Sequence, residues 1–92
     1  MNTEQELFFR ELRRIQDMVI EGSLCKQDKY KNAKELLEDA TYETICGMCE
    51  MIDGYGHNST KYKLVNTSNG NTLNDNFELH DQCEDYLRCT DK

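Results

Sequence analysis

The chain has 92 residues, a hydrophobic share of 37% and a formal net charge of −7. This length predicts one domain over residues 1–92, with a core so small that stability is marginal unless a second chain contributes. Residues 1–34 carry a charge of +1 and residues 35–92 a charge of −8. This balance argues against direct binding to nucleic acid, which needs clustered cations, and favours a basic protein partner or mimicry of nucleic acid.

The five cysteines are an odd number, and the sequence has neither a secretory signal nor an apolar run long enough to span a membrane. Free thiols persist in a reducing compartment. We therefore expect a cytoplasmic protein with unpaired cysteines and no association with membranes.

The first predicted helix begins at Thr3, with Glu6 completing a capping box, and ends near Glu21, where Gly22 follows. Its apolar stripe is wider than contact with one other helix requires, so either two elements cover it or part of it meets another chain. Glu11 falls inside this stripe, where we expect it at the rim of the core, with pairing to a cation as the alternative. The stripe consists of Leu7, Phe8, Phe9, Leu12, Ile15, Met18, Val19 and Ile20.

The second predicted helix runs from Ala33 to Gly56 and is the central element, because its apolar residues recur at helical spacing over half of its circumference. Gly54 and Gly56 can close its last turn in the left-handed conformation. Gly47 interrupts the pattern at a cost of about 1 kcal/mol relative to alanine. Close approach of another backbone is the favoured explanation, and a hinge is the alternative. The opposite, acidic face carries Glu35, Glu38, Asp39 and Glu43.

After the second helix the apolar period changes to two over residues 61–65, which predicts a strand. Asn69-Gly70 then favours a type I′ turn, with residues 72–74 as the returning strand. A third helix is predicted from Asp75 to about Arg88, because Asp75 and Glu78 form a second capping box. The predicted fold class is therefore mostly α (small α+β): a three-helix domain with a short β-hairpin between helices 2 and 3.

Cys46 and Cys49 form a CxxC motif in the middle of the second predicted helix, away from the helix N-terminus that lowers a thiol pKa. As half of a zinc site they need two more ligands, and the spacing of the other cysteines and histidines matches no regular finger. We therefore predict free thiols and no cofactor, with zinc as an alternative. His80 lacks the third group that a catalytic pair with Cys83 needs, so we predict a structural histidine bonded to the 53–58 loop.

These observations favour a non-enzymatic protein-interaction module, such as an inhibitor, an adaptor or a regulatory protein. The surplus apolar surface predicts a homodimer with isologous contacts. The size and composition are typical of accessory proteins from bacteria and their phages. The expected contact residues are Phe9, Ile20, Tyr55, His57 and Tyr62.

Three other functions are open at this point. The first is a DNA mimic that inhibits a nucleic-acid-binding enzyme through Glu35, Glu38, Asp39 and Glu43. The second is an oligomeric protein that binds a nucleotide or small anion with the lysines of residues 26–34. The third is a zinc protein that uses Cys46 and Cys49 as ligands.

Overall fold

A computed structural model describes residues 2–89. Over these residues the fold is mostly helical, with three helices, as predicted. The elements are helix α1 (Thr3–Cys25), a 3-10 turn (Gln27–Lys29), helix α2 (Ala33–Glu50), a wide π-type turn (Met51–Tyr55), a 3-10 turn (Leu79–Gln82) and helix α3 (Cys83–Tyr86). Helices α1 and α2 pack against each other as an antiparallel pair. Within residues 2–89, no helix has the length and apolar character of a membrane span.

Helix α1 is capped one residue earlier than predicted. The Asn2 side chain accepts a hydrogen bond from the Gln5 N–H at 2.8 Å, and the Gln5 side chain accepts one from the Asn2 N–H at 2.8 Å. Asn2 is thus the N-cap of the capping box, not Thr3. The helix also continues through Gly22 to Cys25, because a glycine costs only about 1 kcal/mol inside a helix that is already formed.

Helix α2 is continuous through Gly47, so the chain has no hinge at this position. The space beside Gly47 is filled by α1: a Cβ added at Gly47 would lie 2.9 Å from the Ile15 Cγ2 atom. The predicted close approach is therefore present, but it is made by the side chain of Ile15 instead of a backbone. Gly47 allows the two helices to pack closely where Ile15 is buried.

The regular part of α2 ends earlier than the predicted Gly56. It stops at Glu50, and the following wide turn contains Gly54 at φ = +101°, a conformation that glycine adopts readily. Gly56 has φ = −72° and does not share this role. The turn buries Met51 and Asp53, so it contributes to the core as well as ending the helix.

The predicted β-hairpin between helices 2 and 3 is wrong, because the described residues contain no strand and only one isolated antiparallel bridge, between Val65 and Thr72. The Asn74 side chain takes backbone bonds that a ladder would need. It accepts from the Leu64 N–H at 3.0 Å and donates to the Tyr62 carbonyl oxygen at 2.8 Å. Such local bonds compete with sheet pairing and hold this segment as an irregular loop.

The third helix is much shorter than the predicted span from Asp75 to Arg88. Asn76 has φ = +58°, which interrupts the predicted first turn. The Asp75 side chain pairs with Lys63 at 3.2 Å, and Glu78 accepts a bond from Tyr55, so neither side chain caps a helix. Regular helical structure begins only at the Leu79–Gln82 turn.

Buried polar side chains connect the irregular segments to the helices. Among the described residues, four polar or charged side chains are buried and three apolar ones, and no buried side-chain nitrogen or oxygen lacks a hydrogen-bond partner. The prediction that Glu11 lies at the rim of the core is wrong. Glu11 is 5% exposed and accepts bonds from the Arg14 Nε–H and the His57 backbone N–H, each at 2.9 Å. The bond from Arg14 lowers the pKa of Glu11, so the buried carboxylate is ionised and paired.

Candidate functional site

One side of the α1/α2 pair carries large apolar side chains that nothing in residues 2–89 covers. Phe9 is 55% exposed, Ile20 49% and Leu37 60%. Helical spacing places these residues in two neighbouring rows, one on each helix. We call this surface the helix face. It comprises Phe9, Leu12, Gln16 and Ile20 of α1 and Leu37, Thr41, Ile45 and Met48 of α2.

The helix face forms one continuous groove. Two adjoining depressions, of about 390 and 360 Å³, lie between the helices, and both are lined by Gln16 and Thr44. The first depression extends to Phe9 and Met48, and the second to Ile20. The groove is therefore about 17 Å long at the helical rise of 1.5 Å per residue. This shape matches the side of another helix.

The edges of the helix face carry no net charge. On α1, Arg13 lies 3.9 Å from Asp17, and on α2, Lys34 lies 2.6 Å from Glu38. Each edge thus holds one cation and one anion at the i,i+4 spacing. On a chain of net charge −7, this surface can be approached by another acidic chain without strong repulsion.

The five predicted contact residues do not form one cluster. Phe9 and Ile20 lie at the two ends of the helix face. Tyr62 packs edge-on against Phe8, next to the Phe9 end, with ring centroids 5.5 Å apart. Tyr55 and His57 lie beyond α2, where Tyr55 is bonded to Glu78 and the His57 backbone to Glu11.

The four predicted acidic residues of α2 are bound by contacts within the chain. Glu38 pairs with Lys34, and Glu43 pairs with Lys26 at 2.9 Å. Asp39 is buried and accepts a hydrogen bond from the Tyr30 hydroxyl at 2.7 Å. Glu35 accepts a bond from the Lys31 backbone N–H at 2.9 Å. These contacts do not favour a strip of available carboxylates, and two lysines of the 26–34 cluster are occupied by them.

The CxxC thiols lie next to Cys83 and not in a cluster of metal ligands. Burial raises the pKa of the Cys46 thiol to about 12, and burial also raises the pKa of the Cys49 and Cys83 thiols. A thiol with so high a pKa is a poor nucleophile at neutral pH. Among the described residues, the one group of three potential ligands within 4.8 Å of one another is Asp53, Glu78 and His80.

A cleft of about 270 Å³ lies on the opposite side of the helix pair, between Arg14, Tyr42 and Tyr55. Arg14 is the cation that lines this cleft, and its guanidinium is already bonded to Glu11 at 2.9 Å through Nε. Its charge is thus neutralised inside the fold. The cleft therefore offers little attraction to a nucleotide or other anion.

Asp53 is the centre of a polar junction between the wide turn and the C-terminal segment. Its carboxylate accepts bonds from the backbone N–H groups of Leu79 at 3.0 Å and His80 at 2.9 Å, and its Oδ2 atom lies 2.7 Å from the His80 Nδ1 atom. The predicted bond between the His80 ring and the 53–58 loop is thus present. Burial opposes ionisation of Asp53, but the bonds from His80 and Leu79 lower its pKa overall, so the carboxylate is charged.

The His80 imidazole is also surrounded by acids on its other side. Its Nε2 atom lies 3.4 Å from a Glu78 carboxylate oxygen and 3.4 Å from one of Asp81. The Tyr55 hydroxyl donates to the second Glu78 oxygen at 2.5 Å, and the Tyr55 ring packs edge-on against His80. The bond to Asp53 raises the pKa of His80. Among the described contacts, no hydroxyl or thiol nucleophile meets this ring, which fits the predicted structural role.

No protein-family model matches this chain, and neither a curated protein nor a solved structure matches it. Function must therefore be argued from the helix face and from the polar junction. The sequence pattern indicated the width of the apolar stripe, and hence the helix face. It did not reveal the junction, because a regular helix from Ala33 to Gly56 places Asp53 on its acidic side, away from the core. The one signal was the pair of glycines directly after Asp53, which indicates that regular helix ends there.

Proposed function

We propose that this chain is a small, acidic, non-enzymatic protein-interaction module of the cytoplasm that acts as a homodimer. The helix face is the surface through which two copies associate. The observation that supports this proposal is the continuous apolar groove along α1 and α2, with its neutral edges, on a chain of net charge −7. A second copy meets the least electrostatic repulsion at this surface.

In this dimer the two helix pairs pack face to face as a four-helix arrangement. An isologous contact brings each apolar row against its counterpart, so that Phe9, Ile20, Leu37, Ile45 and Met48 are buried twice, once in each copy. Complete burial of a fully exposed side chain of this kind contributes about 1.5–3 kcal/mol, and these side chains are about half covered already, so each contributes about half of that. This gain compensates for a monomer in which few apolar side chains are fully covered.

The outward surface of the dimer remains acidic, and the partner class that this charge favours is a basic protein surface. These properties support the function of a regulatory protein that acts as an inhibitor or as an adaptor. Glu38 and Glu43 pair with lysines of the same chain, so they are less available to imitate the phosphates of DNA. The interaction module is therefore better supported than DNA mimicry. The five free cysteines of the structure fit a reducing compartment.

The oligomeric state, measured by sedimentation equilibrium over a wide concentration range, tests the proposal. The wild-type chain is expected to sediment as a dimer. The Ile20→Glu variant is expected to weaken association by about 100-fold or more, because the isologous contact loses two buried side chains and gains two charges.

Leu73→Glu is the matched control. Leu73 is 48% exposed, like Ile20 at 49%, but it lies in the loop after α2 and away from the helix face. This variant is expected to dimerise as the wild-type chain does. A wild-type monomer at every concentration contradicts self-association, and equal weakening by both substitutions contradicts the location of the contact.

A further inference from the structure

The charged residues along the edge of α1 that points away from α2 change sign at the middle of the helix face. Gln16 marks this middle, because it lines both depressions of the groove. Arg10 and Arg13 precede Gln16, and Asp17 and Glu21 follow it. Their spacing of three or four residues places the four charges on one stripe of the helix, and all four are exposed. A second α1 that runs in the opposite direction therefore brings bases against acids.

The helical rise shows how closely these charges match when a two-fold axis passes at Gln16. Arg13 lies about 4.5 Å before the level of Gln16, and Asp17 of the second copy lies about 1.5 Å before it, at a rise of 1.5 Å per residue. The two side chains are thus about 3 Å apart along the axis, and Arg10 and Glu21 of the second copy are about 1.5 Å apart. The symmetry repeats each pair, so this arrangement contains four pairs of opposite charge.

The apolar residues of α1 match about the same point. Leu12 and Ile20 are each four residues from Gln16, so Leu12 of one copy faces Ile20 of the other. Phe9 lies seven residues before Gln16 and Leu24 eight residues after it, so these two meet at the end of the contact. They are 55% and 60% exposed in the single chain. Apolar and charged residues therefore indicate one common axis.

The polar side chain on this axis suits contact with its own copy. Among the residues that the structure describes, the Gln16 side chain has no hydrogen-bond partner, whereas the Thr41 and Thr44 hydroxyls donate to their own helix at 2.6 and 2.8 Å. A glutamine amide has both a donor and an acceptor, so two copies can bond to each other. A polar residue of this kind inside an apolar helix contact favours one register over its neighbours.

The other isologous arrangement, with α1 against α2 of the second copy, has unfavourable charges. Thr44 of α2 lies at the level of Gln16, because it lines the same two depressions. Since α1 and α2 are antiparallel, Glu21 and Glu38 of the second copy then lie within about 1.5 Å of each other along the axis. Two acids meet there, and Glu38 is already paired with Lys34. Charge thus favours contact between the two α1 helices.

We propose that the occupant of the helix face is a second copy whose α1 runs antiparallel to the first, with the two-fold axis at Gln16. This inference rests on the proposed homodimer and specifies its orientation and register. Arg10 and Arg13 of each copy pair with Glu21 and Asp17 of the other, and the two Gln16 amides bond at the centre. The four charges are available for this role. Within residues 2–89, Arg10 and Glu21 have no ionic partner, and the Arg13–Asp17 distance is long at 3.9 Å.

A charge swap, measured by sedimentation equilibrium at low salt, tests this arrangement. Arg10→Glu/Arg13→Glu and Asp17→Arg/Glu21→Arg are each expected to raise the dimer dissociation constant at least about 10-fold, because four attractive pairs become repulsive. The variant with all four substitutions keeps the net charge of −7 and restores every pair. It is expected to return to within about 3-fold of the wild-type constant. High salt should reduce these differences.

Lys61→Glu/Arg88→Glu is the matched control, because it changes the net charge by as much as Arg10→Glu/Arg13→Glu does. Both residues are exposed and lie outside α1 and α2, so this variant is expected to dimerise as the wild-type chain does. Circular dichroism checks that each variant is folded. Arg13→Glu and Asp17→Arg, alone and combined, replace any larger variant that is not.

The outcomes separate the arrangement from the homodimer itself. A wild-type chain that remains monomeric contradicts the homodimer and the arrangement together. A wild-type dimer overturns the arrangement alone if the four-residue swap associates as weakly as its two halves. The same conclusion follows if the halves associate as the wild-type chain does, or if the control weakens association as much as they do.

Discussion

The helix face and the buried side of the same fold carry opposite kinds of side chain. On the helix face, large apolar side chains such as Phe9 and Leu37 are more than half exposed. On the buried side, Glu11, Asp53 and Asn74 hold loops in place through hydrogen bonds to the backbone. The chain thus uses polar contacts for its own fold and leaves apolar surface available.

The buried polar contacts and the exposed apolar side chains have different roles in folding and in association. A buried carboxylate that accepts two or three bonds fixes a loop in one geometry, because any displacement leaves charged and polar groups unpaired. Apolar contacts are less directional and can form equally well with another chain. The polar contacts therefore determine the shape of the monomer, and the apolar helix face determines its association.

The largest expected effect is on the polar side of this comparison. Asp53→Ala removes the acceptor of two backbone N–H groups and of the His80 ring, and is expected to lower the free energy of unfolding by about 3–5 kcal/mol. Urea unfolding measures this loss. Asp17→Ala is the control, because its exposed pair with Arg13 is worth only about 0–1 kcal/mol. A loss below that of two ordinary hydrogen bonds would show that Asp53 does not hold the junction.

The second effect tests the apolar contact inside the helix pair. Gly47→Ala places a Cβ 2.9 Å from the Ile15 Cγ2 atom, and is expected to destabilise the fold by about 1–2 kcal/mol despite the better helix propensity of alanine. Ile15→Leu removes the Cγ2 branch and is expected to recover part of this loss in the double variant.

Gly22→Ala in α1 is the control for Gly47→Ala, because nothing lies within 4 Å of the added atom. It is expected to stabilise the chain by about 0.5–1 kcal/mol. Thermal unfolding of the two variants side by side gives the comparison. Equal effects at both glycines would show that α1 and α2 do not pack closely at Gly47.

The third effect is the contribution of Glu11 to the free energy of unfolding, which depends on pH. Because the bonds from Arg14 and the His57 N–H lower the pKa of Glu11 below its ordinary value of 4.5, its contribution is complete above that pH and is lost as the pH falls through the lowered value. At neutral pH, Glu11→Gln is expected to cost about 1–2 kcal/mol. The difference from the wild-type chain should vanish in acid, measured by urea unfolding at a series of pH values. A difference that grows in acid would have the wrong sign.

The smallest effect on the monomer is expected at the helix face. Ile20→Ser changes a half-exposed side chain, so the unfolding free energy of the dilute monomer should change by less than about 0.5 kcal/mol. The melting temperature of the wild-type chain should rise with protein concentration, and that of the variant should not. A large loss of stability in the dilute variant would mean that Ile20 belongs to the core of the monomer.

The long helices could be predicted from the sequence, because apolar spacing and capping residues act locally. The burial of Glu11 could not, because it depends on the His57 backbone, 46 residues away. The hairpin prediction was wrong because the Asn74 side chain takes the bonds of Leu64 and Tyr62 that a ladder would use. The prediction that the third helix begins at Asp75 was wrong, because Asn76 adopts a left-handed conformation that the capping pattern does not reveal.

The helix face and the polar junction also differ in how far the sequence predicts them. The helix face follows from the width of the α1 stripe, a property of sequence spacing alone. The polar junction depends on the wide turn after Glu50, which directs Asp53 inward towards His80. A regular helix over these residues would have left Asp53 on the acidic side. Long-range polar contacts of this kind have no periodic signature in the sequence.

The most direct measurement of the central claim is an isotope-filtered nuclear Overhauser experiment on a mixture of ¹³C-labelled and unlabelled chains. Contacts between copies are expected at the methyl groups of Ile20, Ile45 and Met48 on the helix face. Intermolecular contacts that are absent from these methyl groups, or that arise only around Tyr55 and His80, would contradict association through this surface.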